Sequence, residues 1–275
     1  MSDRTGIEYL DATWSVVVGC SHSGSRGCDN CWGRRVAARL GKNPATPIYH
    51  GLTRADGEWI GEVRFNGKAL RTPCRWRDPR VIGVAFSGDL FHESVDLGDV
   101  LSVFGVADPL SWHAFIFLTK RCARMKGAVL RYQARPDFVG VQHFGHWYLG
   151  ASVATQRDID SAAPHLLALS AAGWQTWLSY EPALEPIVIP DELLGWQTVR
   201  GALAHGELRA LAGVVVGAET GPGMRPCEPS WIEAVVHQCE MAGVPCFVKT
   251  NAPRREIDGW PRELAWRHPV KRGTC

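Results

Sequence analysis

Short, continuous apolar runs recur along the chain at Trp14–Gly19, Val81–Ser87, Ala114–Thr119, His146–Val153, Gln175–Ser179, Leu211–Gly217 and Val244–Lys249, each closing on a polar or glycine-rich corner. Continuous rather than alternating hydrophobicity predicts strands buried on both faces, as in a parallel sheet. Between these runs, Cys31–Leu40, Ile159–Ala172 and Pro229–Ala242 carry apolar residues at helical spacing, and Gly173 and Gly243 stand where helices commonly end. The pattern is a repeated βα unit. Six or seven such units predict an α/β chain folded as a partial (β/α)6-7 barrel rather than an open doubly wound sheet. The one long departure, residues 41–80, contains Gly57–Phe65, which reads as a short β-hairpin inserted between the first helix and the second strand. The expected organisation is one barrel domain over residues 1–250 with this insertion, followed by a basic tail over 251–275.

In a βα barrel the C-terminal ends of the strands open onto the active face. Here those ends deliver Cys20, then Ser87-Gly88-Asp89-Leu90-Phe91-His92, Thr119-Lys120-Arg121, Ser152, Ser179-Tyr180-Glu181-Pro182, Gly217-Ala218-Glu219-Thr220-Gly221 and Lys249-Thr250-Asn251. Any one of these has an ordinary structural use, such as Asp89 capping a helix or Glu181 fixing a turn before proline. As a set they outline a polar rim.

Cys20, Cys28 and Cys31 follow the first apolar run at C-x7-C-x2-C. Three thiolates are one ligand short of a closed tetrahedral zinc site, and they match a four-iron cluster with one iron left open. Zinc with His22 as fourth ligand, and thiols that merely pack as small hydrophobes, are the competing readings. The chain has 9 cysteines, an odd number in no regular framework, and no charged-then-apolar leader precedes Asp11. Those features point to a reducing, cytoplasmic setting. No stretch approaches the roughly 18 consecutive apolar residues of a membrane span. With 275 residues, 45% of them hydrophobic, the chain can bury a full core.

Tyr9-Leu10-Asp11-Ala12-Thr13-Trp14, Ser87-Gly88-Asp89-Leu90-Phe91-His92-Glu93, Leu118-Thr119-Lys120-Arg121, Ser179-Tyr180-Glu181-Pro182 and Gly217-Ala218-Glu219-Thr220-Gly221-Pro222-Gly223-Met224-Arg225-Pro226 resemble the landmarks of a phage-associated family of radical S-adenosylmethionine (SAM) proteins, distantly similar to spore photoproduct lyase. The resemblance runs from about Gly6 to Lys249. It implies a [4Fe-4S] cluster on Cys20, Cys28 and Cys31, and SAM bound at the open iron. Reductive cleavage of SAM would then give a 5′-deoxyadenosyl radical that abstracts hydrogen from substrate. By position, Ser87, Gly88 and Asp89 would hold the methionine amino group, Ser152 with Lys120 or Arg121 the carboxylate and ribose, and Gly217, Glu219 and Thr220 the adenine side. Glu181 joins Lys120 and Arg121 as a candidate catalytic group, and Cys227 could return a hydrogen atom to a substrate radical. Two departures stand out: radical SAM proteins usually show C-x3-C-x2-C, and the position before the last cysteine, usually aromatic, is Asn30 here.

Charge adds a substrate class. The net charge is only +2, yet basic residues gather in the insertion, over Lys120–Arg135 and in the C-terminal segment from Lys249. Such segregation suits a phosphate backbone. Arg64, Arg71, Arg75 and Arg77 are the candidate phosphate contacts, and Trp59 and Trp76 among them could stack on unpaired or flipped bases. The expected partners are DNA and an electron donor such as flavodoxin or ferredoxin, with no membrane. The expected activity is isomerisation of a modified thymidine in phage DNA hypermodification, in the host cytoplasm. Lyase-type DNA repair, RNA modification and a zinc-stabilised nucleic-acid-binding protein are the alternatives.

Overall fold

The computed structural model describes residues 5–140, 144–199, 202–205 and 211–251, so the basic tail expected beyond residue 251 lies outside the described residues. The chain is mixed α/β. Its strands and helices are β1 (Ala12–Trp14), β2 (Val17–Val18), α1 (Trp32–Leu40), β3 (Arg64–Phe65), β4 (Val81–Val84), α2 (Leu97–Ala107), β5 (Ala114–Thr119), α3 (Cys122–Gln133), β6 (Trp147–Val153), α4 (Gln156–Ala171), β7 (Gln175–Tyr180), α5 (Asp191–Leu194), β8 (Trp196–Val199), β9 (Ala202–His205), β10 (Leu211–Val216), α6 (Pro229–Met241) and β11 (Cys246–Val248). The main sheet has seven strands in the order β1-β4-β5-β6-β7-β10-β11. That order follows the chain without reversing, as in a barrel strand set and unlike a doubly wound sheet.

The described chain divides into two compact units. The first runs to Gly24 and from Cys31 to Trp147; the second comprises Ser25–Asn30 and the chain from Tyr148 onward. In the first, β1 pairs with β4 and β4 with β5, both in parallel. β4 is buried at every position, as its uninterrupted apolar run requires. Phe104, Phe117, Tyr132, Phe144 and Trp147 form an aromatic core there, with ring centroids as close as 5.0 Å for Phe144 and Trp147 and 5.1 Å for Phe104 and Trp147. In the second unit β7 lies between β6 and β10, and β10 pairs with β11, all in parallel. Gly150 on β6 is required by close approach, since a Cβ there would sit 2.2 Å from the Trp177 ring on β7.

Two expectations for the first strand and the insertion change. The run Trp14–Gly19 is two strands, not one: the Val16 N–H donates to the Trp14 carbonyl (2.9 Å), and this tight turn sends Val17–Val18 off the main sheet. There β2 pairs antiparallel with β3, so the strand pair expected inside residues 57–65 is made instead with the segment before the cysteines. Within the insertion the strand-type pairing is an isolated bridge, Thr53 with Trp59, flanked by hydrogen bonds from the Arg54 N–H to the Glu58 carbonyl (2.8 Å) and from the Ile60 N–H to the Leu52 carbonyl (3.1 Å). The apolar run of β4 likewise stops short of Ser87, because Ala85 turns into the left-handed region (φ 56°). Helix ends fall as expected: Gly173 (φ 92°) follows α4 and Gly243 (φ 60°) follows α6.

Candidate functional site

The first unit gathers its polar strand ends around Arg121. Gly88 forms a parallel bridge with Gly19, and a Cβ at Gly88 would stand 2.8 Å from the Val17 carbonyl, so glycine lets the loop after β4 lie against the segment that leads into Cys20. Ser87 is buried and shares a 2.9 Å hydrogen bond with the Tyr49 hydroxyl. Asp89, 5% exposed, accepts from the Phe91 N–H (2.9 Å), from the Thr119 hydroxyl (2.9 Å) and from Arg121 Nη1 (3.0 Å). Its carboxylate is thus occupied by its own loop and by the end of β5.

Arg121, which begins α3 just beyond β5, donates in four directions. Nε bonds both oxygens of Glu93 (2.9 and 2.8 Å), Nη1 bonds Asp89 and lies 3.7 Å from the Cys20 sulfur, and Nη2 reaches the Ser21 hydroxyl (3.0 Å) and carbonyl (3.3 Å). Burial alone would lower the pKa of this guanidinium, but Asp89 and Cys20 lead the charges that raise it above its ordinary value. Burial would likewise raise Glu93, and hydrogen bonds from its own backbone and from Arg121 hold it below the usual carboxylate range. His92 Nδ1 accepts from the Ser94 N–H (3.1 Å), so the proton sits on Nε2, which donates to the Ser21 hydroxyl (2.7 Å). Burial, reinforced by Arg121, lowers the His92 pKa and keeps the ring neutral at neutral pH. Lys120 is half-buried beside this network.

In the second unit Ser25–Asn30, which carries Cys28, is fastened by two anchors. Ser25 is buried, caps the short turn Arg26–Cys28 by accepting from the Gly27 N–H (3.1 Å), and donates to Asp158 (2.9 Å) at the N-terminus of α4. Arg225 donates to Asp29 (3.1 Å) and to the Arg26 carbonyl (2.9 Å), while its Nε and backbone N–H both reach Glu219 (3.0 and 2.8 Å). Glu219 is 6% exposed; burial would raise its pKa, and Arg225 more than reverses that. Glu219, the residue expected on the adenine side, is therefore taken up in holding the Cys28 segment.

At the ends of β7 and β11, Glu181 and Lys249 form an ion pair. Asn251 donates to the Ala218 carbonyl (2.7 Å), and Gly217 leaves room for this corner, a Cβ there coming within 3.1 Å of the Asn251 side-chain oxygen. The Ser152 hydroxyl donates to the Glu181 carbonyl over 3.5 Å, and Thr220 is half-buried. Burial, with Glu228, pushes the half-buried Cys227 thiol up to about 11, so at neutral pH it keeps its proton.

Cys20, Cys28 and Cys31 are all half-buried thiols, and no described cysteine is in a disulfide. Among the described residues no group of three His, Cys, Asp or Glu side chains is gathered at ligand spacing. His22 is exposed and its Nδ1 accepts from the Gly24 N–H (3.0 Å). The insertion offers a different surface from the one expected. Arg71, Arg75 and Arg77 are exposed, but Arg64 donates to the Ile48 (3.0 Å) and His50 (2.7 Å) carbonyls and pairs with Glu62. The Trp76 ring is buried with the Arg80 guanidinium 5.0 Å above its face, and Trp59 packs against the cluster of Val18, Ala37, Tyr49 and Leu52. The Trp76 ring serves packing and Trp59 stays half-buried, while the insertion is tied to β1 by Trp14 Nε1, which donates to the Ala69 carbonyl (2.9 Å).

Sequence reasoning did not single out Ser21, Glu93, Asp158 or Arg225. Glu93 and Arg225 stood inside the quoted motifs, but nothing local says which distant group they meet. Residues 4–257 match the family model for the protein of unknown function DUF5131, and the chain belongs to that family. No curated protein and no solved structure matches it. No described helix is long and apolar enough to cross a membrane.

Proposed function

We propose that this protein is a radical SAM enzyme built on a partial barrel, acting on a nucleic-acid base. The observation that carries the reading is three reduced thiols within one short loop, with the first of them beside a guanidinium whose side chain is only 8% exposed and is fixed at a strand end. The donor chemistry fits a [4Fe-4S] cluster: thiolates suit iron–sulfur sites, and three of them leave one iron open for SAM. When bound, cluster and SAM supply an electron and a carbon-centred radical able to take hydrogen from an unactivated position.

The chain's own residues then bind and orient. Cys20, Cys28 and Cys31 hold the metal; Lys120, Ser152 and Thr220 at the strand ends meet the carboxylate, ribose and adenine of the cofactor; Gly88 and Gly217 give them close approach. Asp89 and Glu219 act through the arginines they hold, Arg121 and Arg225, rather than by touching SAM. Cys227, protonated at neutral pH, retains the S–H bond needed to return a hydrogen atom to a substrate radical. The exposed Arg71, Arg75 and Arg77 support a phosphate-backbone partner. We assign isomerisation of a modified thymidine in phage DNA as the reaction, with flavodoxin or ferredoxin as electron donor.

Anaerobic protein loaded with iron and sulfide, given SAM, dithionite and hypermodified DNA, should yield 5′-deoxyadenosine and an altered nucleoside by mass spectrometry. One zinc and no iron in anaerobically prepared protein would overturn the reading. Replacing Arg71 and Arg75 by Ala should flatten the log–log salt dependence of DNA binding by roughly 2 units. Binding indifferent to salt would remove the polymer as substrate.

A further inference from the structure

Arg121 sits where a single side chain can govern the electronic behaviour of a metal bound at Cys20. Its guanidinium bonds two carboxylates, at 3.0 Å from Asp89 and 2.8 Å from Glu93, and faces the Cys20 sulfur at 3.7 Å. It also holds the next residue by both its carbonyl and its hydroxyl, at 3.3 and 3.0 Å. The Ser21 hydroxyl is fixed a second time by His92 at 2.7 Å, so the backbone that presents Cys20 is pinned from two sides. The side chains of Asp89 and Arg121 are 7% and 8% exposed, whereas that of Glu93 is 67% exposed.

We propose that Arg121 is a positioning residue that sets the reduction potential of the metal site through Cys20, with Glu93 as the solvent-facing counterweight. The inference rests on the cluster reading above and deepens it by naming what regulates that site. Reduction adds one negative charge to the cluster, and a fixed positive charge or hydrogen bond at a ligand sulfur favours the more negative state. Removing Arg121 withdraws that charge and also leaves Asp89 and Glu93 without their counter-ion, so both effects lower the potential. Neutralising Glu93 does the opposite: it removes one of the two negative charges that balance Arg121, and because water screens an exposed carboxylate the change is smaller.

The test is a redox titration of the full chain, reconstituted anaerobically with iron and sulfide and monitored by electron paramagnetic resonance, with iron content and circular dichroism measured on each variant. At the potential where the wild type is half reduced, Arg121→Gln should shift the reduced-to-oxidised ratio about tenfold toward oxidised, a fall of about 59 mV for one electron. Glu93→Gln should shift it the other way by less, and Arg121→Lys, which keeps the charge but not the fork, should fall between wild type and Arg121→Gln. Iron-loaded wild type whose midpoint is matched by both Arg121→Gln and Glu93→Gln overturns the inference and leaves the proposed function standing; so do shifts of the same sign in the two variants. If Arg121→Gln fails to fold or to load, Glu93→Gln decides: an upward shift supports the inference and an unchanged midpoint overturns it. Wild-type protein that takes up no iron overturns the proposed function, and this inference with it.

Discussion

Both units hold part of the cysteine loop with an arginine, yet the two arginines work in different media. In the first, Arg121 and Asp89 are nearly excluded from water, and the network extends inward to Thr119. In the second, the Arg225 side chain is 25% exposed and one of its carboxylates, Asp29, is 51% exposed, while the other, Glu219, is buried. A buried ion pair gains little over apolar packing, but removing one partner strands a charge where water cannot reach it; an exposed pair lost in part is repaired by solvent. Each arginine also holds an exposed carboxylate, Glu93 in the first unit and Asp29 in the second, so the clamps differ in the arginine itself, 8% exposed in the first and 25% in the second.

The sharpest way to break this contrast is Arg121→Ala, which leaves Asp89 buried and unpaired. It should destabilise the protein by about 3–5 kcal/mol, read from chemical denaturation. A loss below about 1 kcal/mol, the range of exposed pairs, would make the two clamps alike.

Acid should also separate the units. His113 is fully buried in the first unit; its Nδ1 accepts from the Arg80 N–H (3.2 Å) and its Nε2 donates to the Pro73 carbonyl (3.3 Å), so the neutral ring is satisfied at both nitrogens. Burial, despite the Pro73 and Trp76 backbone groups, lowers its pKa to about 4. The folded state thus binds fewer protons than the unfolded one between about pH 4 and the ordinary histidine value of about 6.5, and stability falls with pH across that window by up to about 1.4 kcal/mol per pH unit for such a group. His92, shifted in the same direction, adds to the loss just below its unfolded value. His113→Gln should flatten this acid limb in urea melts taken at successive pH values. An unchanged limb would mean that the histidines of the first unit do not control acid stability.

Smaller still, Arg225→Ala should cost about 1–3 kcal/mol, because Glu219 loses its hydrogen bonds while Asp29 regains water. Asp29→Ala should cost at most about 1 kcal/mol. Equal losses from these two variants would show that Glu219 is not the seat of the second clamp.

The alternation between apolar runs and helical stretches made most of the main-sheet strands readable in advance, since a strand such as Ala114–Thr119 is apolar along nearly its whole length and has no competing period. The first run misled because hydrophobicity does not report a turn as tight as that at Val16, and the antiparallel pair β8 and β9 left no periodic signal. At the site, the polar rim was legible residue by residue, but its pairing was not. Asp89 and Arg121 lie 32 positions apart, and Asp29 and Arg225 lie 196 apart. Which carboxylate meets which guanidinium is decided by the path of the backbone, so Asp89 and Glu219 read as ligand-binding groups until their partners were seen. Trp76 misled for the same reason: an aromatic ring among arginines looks alike whether its face is open or covered.

The separation of Asp29 from Arg225 also sets a schedule. A chain made at about 5–20 residues per second needs about 10–40 s to extend from one to the other, so on the ribosome Ser25–Asn30 waits for its clamp while the strands of the first unit are already complete. Cys20 and Cys31 can reach their native neighbours long before Cys28 does. Any reagent that captures nascent thiols should therefore find Cys28 the last of these three to be protected, an order imposed by translation rather than by stability.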